Sequence, residues 1–112
     1  MEDDILTANG LGRRIRRKNR SRLEIVASML GIAEQGVKKT QLMYQGNLSF
    51  ELLHKYLDSL LKAALIERLQ EKNQFIYKTT AKGLQFIKNY QDLQKHATEL
   101  NSKKIELEKL FR

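Results

Sequence analysis

The sequence predicts an α+β fold, mostly α, on three observations. Residues 43 to 69 read as two helices joined by a tight turn and running into a strand. Residues 65 to 78 read as two strands around a polar tip, and from about Thr80 onward an apolar repeat of helical period outruns any core that a small domain can build. Three helices, a short strand and a two-stranded wing in the order αα(turn)αββα describe a winged helix-turn-helix followed by a long C-terminal coiled-coil helix. The expected division is a tail with a basic arm over 1–20, the winged helix-turn-helix over 21–85, and a coiled-coil dimerisation helix over 86–112.

Each element follows from local chemistry. Residues 1 to 12 are polar and acidic without periodicity, and are read as a mobile tail. Ser21 followed by Glu24 is a capping box that opens a helix through about Gln35, with Leu23, Val26, Ala27, Leu30 and Ala33 inward. Gly36 ends it. Val37 to Lys39 suit a short edge strand, and Thr40 is expected to cap a brief helix from Gln41 to Gln45. Tyr44, flanked by Leu42 and Met43, is assigned to the core. Gly46 and Asn47 supply tolerance of positive φ, and Ser49 caps a second motif helix running to about Ala64. Its inward stripe is Phe50, Leu53, Leu57, Leu60, Leu61 and Ala64, with Glu51, Lys55, Asp58, Ser59 and Lys62 opposite.

Leu65 to Leu69 and Phe75 to Lys78 then form the hairpin, with a tip of Gln70, Glu71, Lys72, Asn73 and Gln74. Thr79 or Thr80 caps a last helix that spans roughly 50 Å if it continues to Arg112. Along it, Phe86, Tyr90, Leu93, Ala97, Leu100, Lys104, Leu107 and Phe111 alternate spacings of four and three, the pattern of a coiled-coil seam. Leu84, Ile87 and Tyr90 can pack back on the domain beside the wing, but Leu93 to Phe111 need a partner. Lys104 within the seam costs stability and fixes register.

Composition narrows the partners. The 112 residues carry a net charge of +8, and the charge is concentrated: −3 over the first twelve residues, +7 over residues 13 to 22, and +4 over the remaining ninety. Such a basic block favours polyanions. The absence of cysteine excludes disulfides and thiolate metal sites or nucleophiles. No apolar run approaches a membrane span, and Glu2, Asp3 and Asp4 are unlike the basic start of a secretion signal, so a soluble, intracellular protein is expected.

The residues also resemble a known family, the small archaeal winged-helix DNA-binding proteins that dimerise through an antiparallel coiled coil of their last helix. The resemblance rests on Ser21-Arg22-Leu23-Glu24-Ile25, Leu42-Met43-Tyr44, Asn47-Leu48-Ser49, Tyr56-Leu57, Leu65-Ile66, Tyr77-Lys78-Thr79-Thr80 and Lys82-Gly83, and covers about residues 20 to 112. It implies the fold, the homodimer and binding to double-stranded DNA. It also implies that Lys38 and Lys39, with Thr40, lie near the DNA backbone, and that Tyr44 sits at a helix packing junction. Two features depart from the family: the arm before Arg20 is longer and more basic, and the coil is richer in amides.

The expected DNA-binding residues fall in three further groups. The arm offers Arg13, Arg14, Arg16, Arg17, Lys18, Arg20 and Arg22 to phosphates or the minor groove. The second motif helix offers Ser49, Glu51, Leu52 and Lys55 to base edges, although Glu51 and Asp58 repel phosphate and argue for modest sequence selectivity. The wing offers Arg68, Lys72, Asn73, Gln74 and Lys78. Against these stand ordinary solvated faces. His54 and His96 lie on different helices and make no ligand pair, so no metal site is expected, nor any cofactor or small-molecule substrate. No nucleophile-base pair or glycine-rich phosphate loop points to an enzyme. A dimeric DNA-binding protein, regulatory or nucleoid-associated and cytoplasmic, is the leading expectation. A protein-interaction module built on the same scaffold and an RNA-binding protein are the alternatives.

Overall fold

The computed structural model describes residues 20–111. Six elements follow in order: α1 (Arg22–Ile32), α2 (Lys39–Gln45), α3 (Phe50–Lys62), β1 (Ile66–Glu71), β2 (Gln74–Thr79) and α4 (Ala81–Phe111). The order αααββα is the expected one, mostly helical with a small sheet. Their core is a single cluster centred on Met29, Leu30, Leu42, Leu53 and Ile66, all but inaccessible to water.

Helix α1 starts as expected, with Ser21 Oγ accepting from the Glu24 amide at 3.1 Å. It ends at Ile32, short of Gln35, and its buried face is Ile25, Met29, Leu30 and Ala33. Leu23 is about half exposed, and Val26 and Ala27 are only half-buried. The helix is apolar nearly all round, so its sequence period leaves the inward phase open and tertiary packing selects it.

Helix α2 begins two residues earlier than Thr40 implied: Lys38 is its N-cap, and the Lys38 amide donates to Gln41 Oε1 at 2.9 Å. A side chain inside the helix does the capping, so Thr40 lies within the first turn. Val37 contributes one residue to the sheet instead of a strand, exchanging backbone hydrogen bonds of 2.9 and 2.7 Å with Tyr77.

The turn between α2 and α3 takes its positive φ from Asn47 alone, at 54°, while Gly46 sits at −81°. The Leu48 amide donates to Met43 O and the Asn47 amide to Tyr44 O, which closes the end of α2 with its last carbonyls satisfied. Gly46 serves a different need: a Cβ there would lie 2.8 Å from Leu42 O and 3.2 Å from the Leu48 side chain.

Ser49 caps α3 as expected, accepting from the Leu52 amide at 3.1 Å. The buried stripe is Leu53, Tyr56, Leu57 and Leu60. Phe50 is 68% exposed and packs its ring 4.1 Å from that of His54. Ala64 lies beyond the helix at φ 61°, where the Leu65 amide reaches back to Leu60 O and the Ala64 amide to Leu61 O. The sequence stripe therefore ran one turn too far at each end.

The hairpin is longer and its tip tighter than the amide-rich stretch implied. β1 and β2 pair antiparallel from Ile66 with Thr79 to Glu71 with Gln74, which leaves only Lys72 and Asn73 as the tip. Thr79 ties the hairpin to α1, its hydroxyl donating to Leu30 O at 2.6 Å. Thr80 is the cap of α4: its hydroxyl accepts from the Gly83 amide at 3.1 Å and donates to Ala64 O at 2.7 Å.

Helix α4 runs 31 residues without a break. Phe86 and Ile87 pack against the core, whereas Leu84 is about half exposed. Beyond Tyr90 every described residue of the helix is exposed. The molecule is thus a small head with a long protruding helix, 65 Å in its greatest dimension.

Candidate nucleic-acid interface

The exposed side of α3 is set by its core stripe. With Leu53, Tyr56, Leu57 and Leu60 inward, Ser49, Glu51, Leu52 and Lys55 point outward at the amino-terminal half of the helix, as their spacing implied. The Lys55 ammonium lies 5.9 Å from the Tyr56 ring centre, its stem along the helix surface. Farther along, Asp58 pairs with Lys62 at 3.2 Å, an exposed i,i+4 pair that offsets the acid locally. The Ser49 hydroxyl spends its acceptor on the cap and retains one donor for a ligand.

The wing divides its candidates between two faces. Register partners share a face and neighbours along a strand alternate, so Arg68 lies with Tyr77 and Phe75, and Lys78 lies on the other side with its partner Glu67. Arg68 stacks its guanidinium 4.6 Å from the Phe75 ring centre, a cation–π contact that holds it in place on the hairpin. Lys72 and Asn73 form the outermost tip, Lys72 at φ 55°, and Gln74 begins β2 beside them. Lys39 reaches the Tyr77 ring at 6.0 Å, so α2 and the wing bring Lys39 and Arg68 toward one side. Lys38 and Thr40 are exposed next to it.

Arg20 has a contact that no sequence pattern signals. Its guanidinium donates to Gly46 O at 3.2 Å, joining the start of the domain to the helix-turn-helix turn. Arg22 opens α1 and is exposed. Arg13, Arg14, Arg16, Arg17 and Lys18 lie outside the described residues.

Tyr44 corrects the sequence reading. It is 86% exposed on α2, because Leu42 takes the buried position and the seven-residue helix has room for one inward turn only. With Thr40, Gln41 and Met43 it lines an open, mostly apolar depression. Among the described residues no group of three or more His, Asp or Glu side chains could hold a metal, and no helix is long and apolar enough to cross a membrane.

The sequence model described as winged helix-turn-helix matches residues 19–98. The chain belongs to the winged helix-turn-helix family. The chain is similar to the crystal structure of Sso10a-2, a DNA-binding protein from Sulfolobus solfataricus: TM-score 0.72, 27% identity, 83% of this chain and 98% of that one covered. It is also 37% identical over 60 residues to an uncharacterized protein of Methanocaldococcus jannaschii. That match covers 53% of this chain, and the chain spans 62% of the length of that relative. Both are archaeal, as the sequence resemblance implied. As a winged helix-turn-helix, α2 and α3 with their turn form the motif, and β1 and β2 form the wing.

Proposed function

We propose that this winged helix-turn-helix protein is a non-enzymatic, homodimeric DNA-binding protein, a transcriptional regulator or nucleoid-associated factor with modest sequence specificity. The observation that carries the reading is the outward face of α3, where Ser49, Glu51, Leu52 and Lys55 are all exposed beside a wing ending in Lys72 and Asn73. In this geometry the amino-terminal half of α3 enters a major groove while the wing and the basic arm follow phosphates. The net charge of +8 and the DNA-binding description of Sso10a-2 support it. Modest specificity follows from Glu51 and Asp58, since a carboxylate repels the backbone and only occasionally accepts a hydrogen bond from a base, such as cytosine. A cytoplasmic location on the nucleoid goes with this reading.

The dimer rests on α4. Leu100 is 67% and Phe111 93% exposed, within a stripe that a single chain leaves in water. Seams of this spacing bury themselves against another helix.

Two measurements test the reading. Mobility shift of a random duplex should exceed that of single-stranded RNA of equal length; binding RNA alone, or neither, overturns DNA binding, and the latter favours a protein-interaction module. Light scattering should give a dimer for the wild type and a monomer for Leu100→Glu, which places a charge in the seam. A monomeric wild type sinks the dimer.

A further inference from the structure

An apolar groove lies between α1 and the root of α4, lined by Leu23, Phe86, Asn89, Tyr90 and Leu93. Among the described residues nothing covers it. At the far end of α4, Leu110 is 83% exposed, and it falls outside the regular seam. Leu23 is likewise left out of the face that α1 turns to its own core.

The seam explains both residues. Phe86, Tyr90, Leu93, Ala97, Leu100, Lys104, Leu107 and Phe111 follow one another at spacings of 4, 3, 4, 3, 4, 3 and 4, a series that reads identically from either end. Two antiparallel copies, related by an axis between Thr98 and Glu99, therefore pair every member. Phe86 meets the partner's Phe111, Tyr90 the partner's Leu107, Leu93 the partner's Lys104 and Ala97 the partner's Leu100. Leu110 directly precedes Phe111, and Asn89 directly precedes Tyr90, so both sit on the same flank of the seam. Flanking positions of this kind face each other in an antiparallel pair. This register lays the partner's Leu110 over Asn89, at the side of the groove that Leu23 closes.

We propose that the groove between α1 and α4 is the seat for the C-terminal end of the partner's α4, with Leu110 packing on Leu23. This rests on the dimer proposed above and goes beyond it by taking the two α4 helices as antiparallel: parallel copies would also pair the seam, but they would leave the partner's Leu110 far from the groove beside Leu23. The coil does not simply tie two heads together; each head is completed by the tip of the other chain, which fixes the head's angle to the rod. The spacing and orientation of the two α3 helices then follow from one rigid body instead of from a hinge at the root of α4.

The chain contains no cysteine, so a disulfide reads the contact directly. Within one chain the groove and Leu110 are separated by 17 to 24 helical residues, roughly 25 to 36 Å. A disulfide needs Cα atoms within about 7 Å, so a Leu23–Leu110 link can only join two chains. The double variant Leu23→Cys/Leu110→Cys, oxidised mildly and run without reductant, should shift mostly to the mass of a covalent dimer. The control Leu23→Cys/Ser102→Cys, whose second thiol lies on the exposed face of α4 away from the seam, should stay at the single-chain mass under the same conditions. Light scattering of both, reduced, reports the dimer independently. A dimer in which the two variants crosslink equally, or neither does, overturns the seat and leaves the dimer standing; a monomer overturns both. A link that appears only after residues 1–19 are deleted shows the chain's own amino-terminal segment in the groove, and also overturns the proposal.

Discussion

Gly83→Ala should destabilise the head far more than its size suggests. Gly83 lies in the first turn of α4, where the helix crosses the link between α3 and β1. A Cβ built there falls inside the contact distance of Leu65 O and 2.5 Å from Thr79 Cγ2. The first obstacle is backbone, and Thr79 is held by its hydrogen bond to Leu30 O, so neither neighbour can turn aside. The root of α4 must move out, at a cost of about 1–3 kcal/mol for overpacking. That movement stretches two bonds that anchor the helix, Thr80 N to Leu65 O at 3.1 Å and Thr80 Oγ1 to Ala64 O at 2.7 Å. Each is worth about 1 kcal/mol. Alanine recovers about 1 kcal/mol of helix propensity, leaving a net loss of about 2–4 kcal/mol. For a domain this small the loss corresponds to a fall in Tm of roughly 10–25 °C. Calorimetry at fixed protomer concentration measures it, since an oligomer's Tm depends on concentration. Gly31→Ala is the control: nothing lies within 4 Å of its Cβ, so the same substitution inside α1 should stabilise by about 0.5–1 kcal/mol. A Gly83→Ala protein as stable as wild type would refute the close approach.

Three further outcomes are expected. Ala64→Gly should raise stability by about 1 kcal/mol, because Ala64 holds φ 61° at the end of α3 where a Cβ is penalised; denaturant midpoints with an unchanged slope check it. Deleting residues 1–19 removes five basic side chains and keeps the Arg20–Gly46 bond, so the log-log salt slope of duplex binding should shrink by up to about 4–5 units per protomer; an unchanged slope means that the arm does not touch phosphate. Lys55→Ala should erode any preference between duplex sequences more than Lys72→Ala, which should weaken all sequences alike; equal, uniform losses from both would exclude base reading by α3.

The parts of the fold that the sequence made legible are those decided locally. Ser21, Ser49 and Thr80 each cap the helix that follows, because a short hydroxyl side chain meets its own backbone amides wherever the chain sits. Strand pairing and the long last helix were equally visible, since alternation and a sustained repeat are properties of the chain itself. What escaped was decided by neighbours far away in sequence. The phase of α1 was hidden because its apolar residues surround the helix, and the exposure of Tyr44 depended on which single turn of α2 faces the core. The wing tip escaped as well: the strands pair as far as Glu71 with Gln74, and Lys72 takes the positive φ of the two-residue turn that remains. In the candidate interface the face of α3 was readable from its period. The Arg20–Gly46 bond, the stacking of Arg68 on Phe75 and the approach of Lys39 to Tyr77 were not, because each joins elements that only the folded chain brings together.

The distribution of charge bears on the kind of DNA binding proposed above. Lys55 stands on the outward face of α3 together with Glu51, and the next basic residue along the helix, Lys62, is occupied with Asp58 at 3.2 Å. The helix proposed to enter the groove thus contributes little net positive charge. Seven of the chain's basic residues sit instead between Arg13 and Arg22, in and beside the segment that leads into α1. Phosphate neutralisation carries no sequence information, whereas base contacts do. On the proposed reading, most of the affinity comes from residues that cannot discriminate, and discrimination is left to Lys55, Ser49 and the apolar Leu52. Such a division favours coverage of many sites over tight selection of one, which places the nucleoid-associated role ahead of the operator-specific one. Competition separates them: a large excess of random duplex should strip the protein from any chosen fragment in proportion to mass, and a fragment that resists a hundredfold excess, on the order of the discrimination a few base contacts give, would restore the regulator.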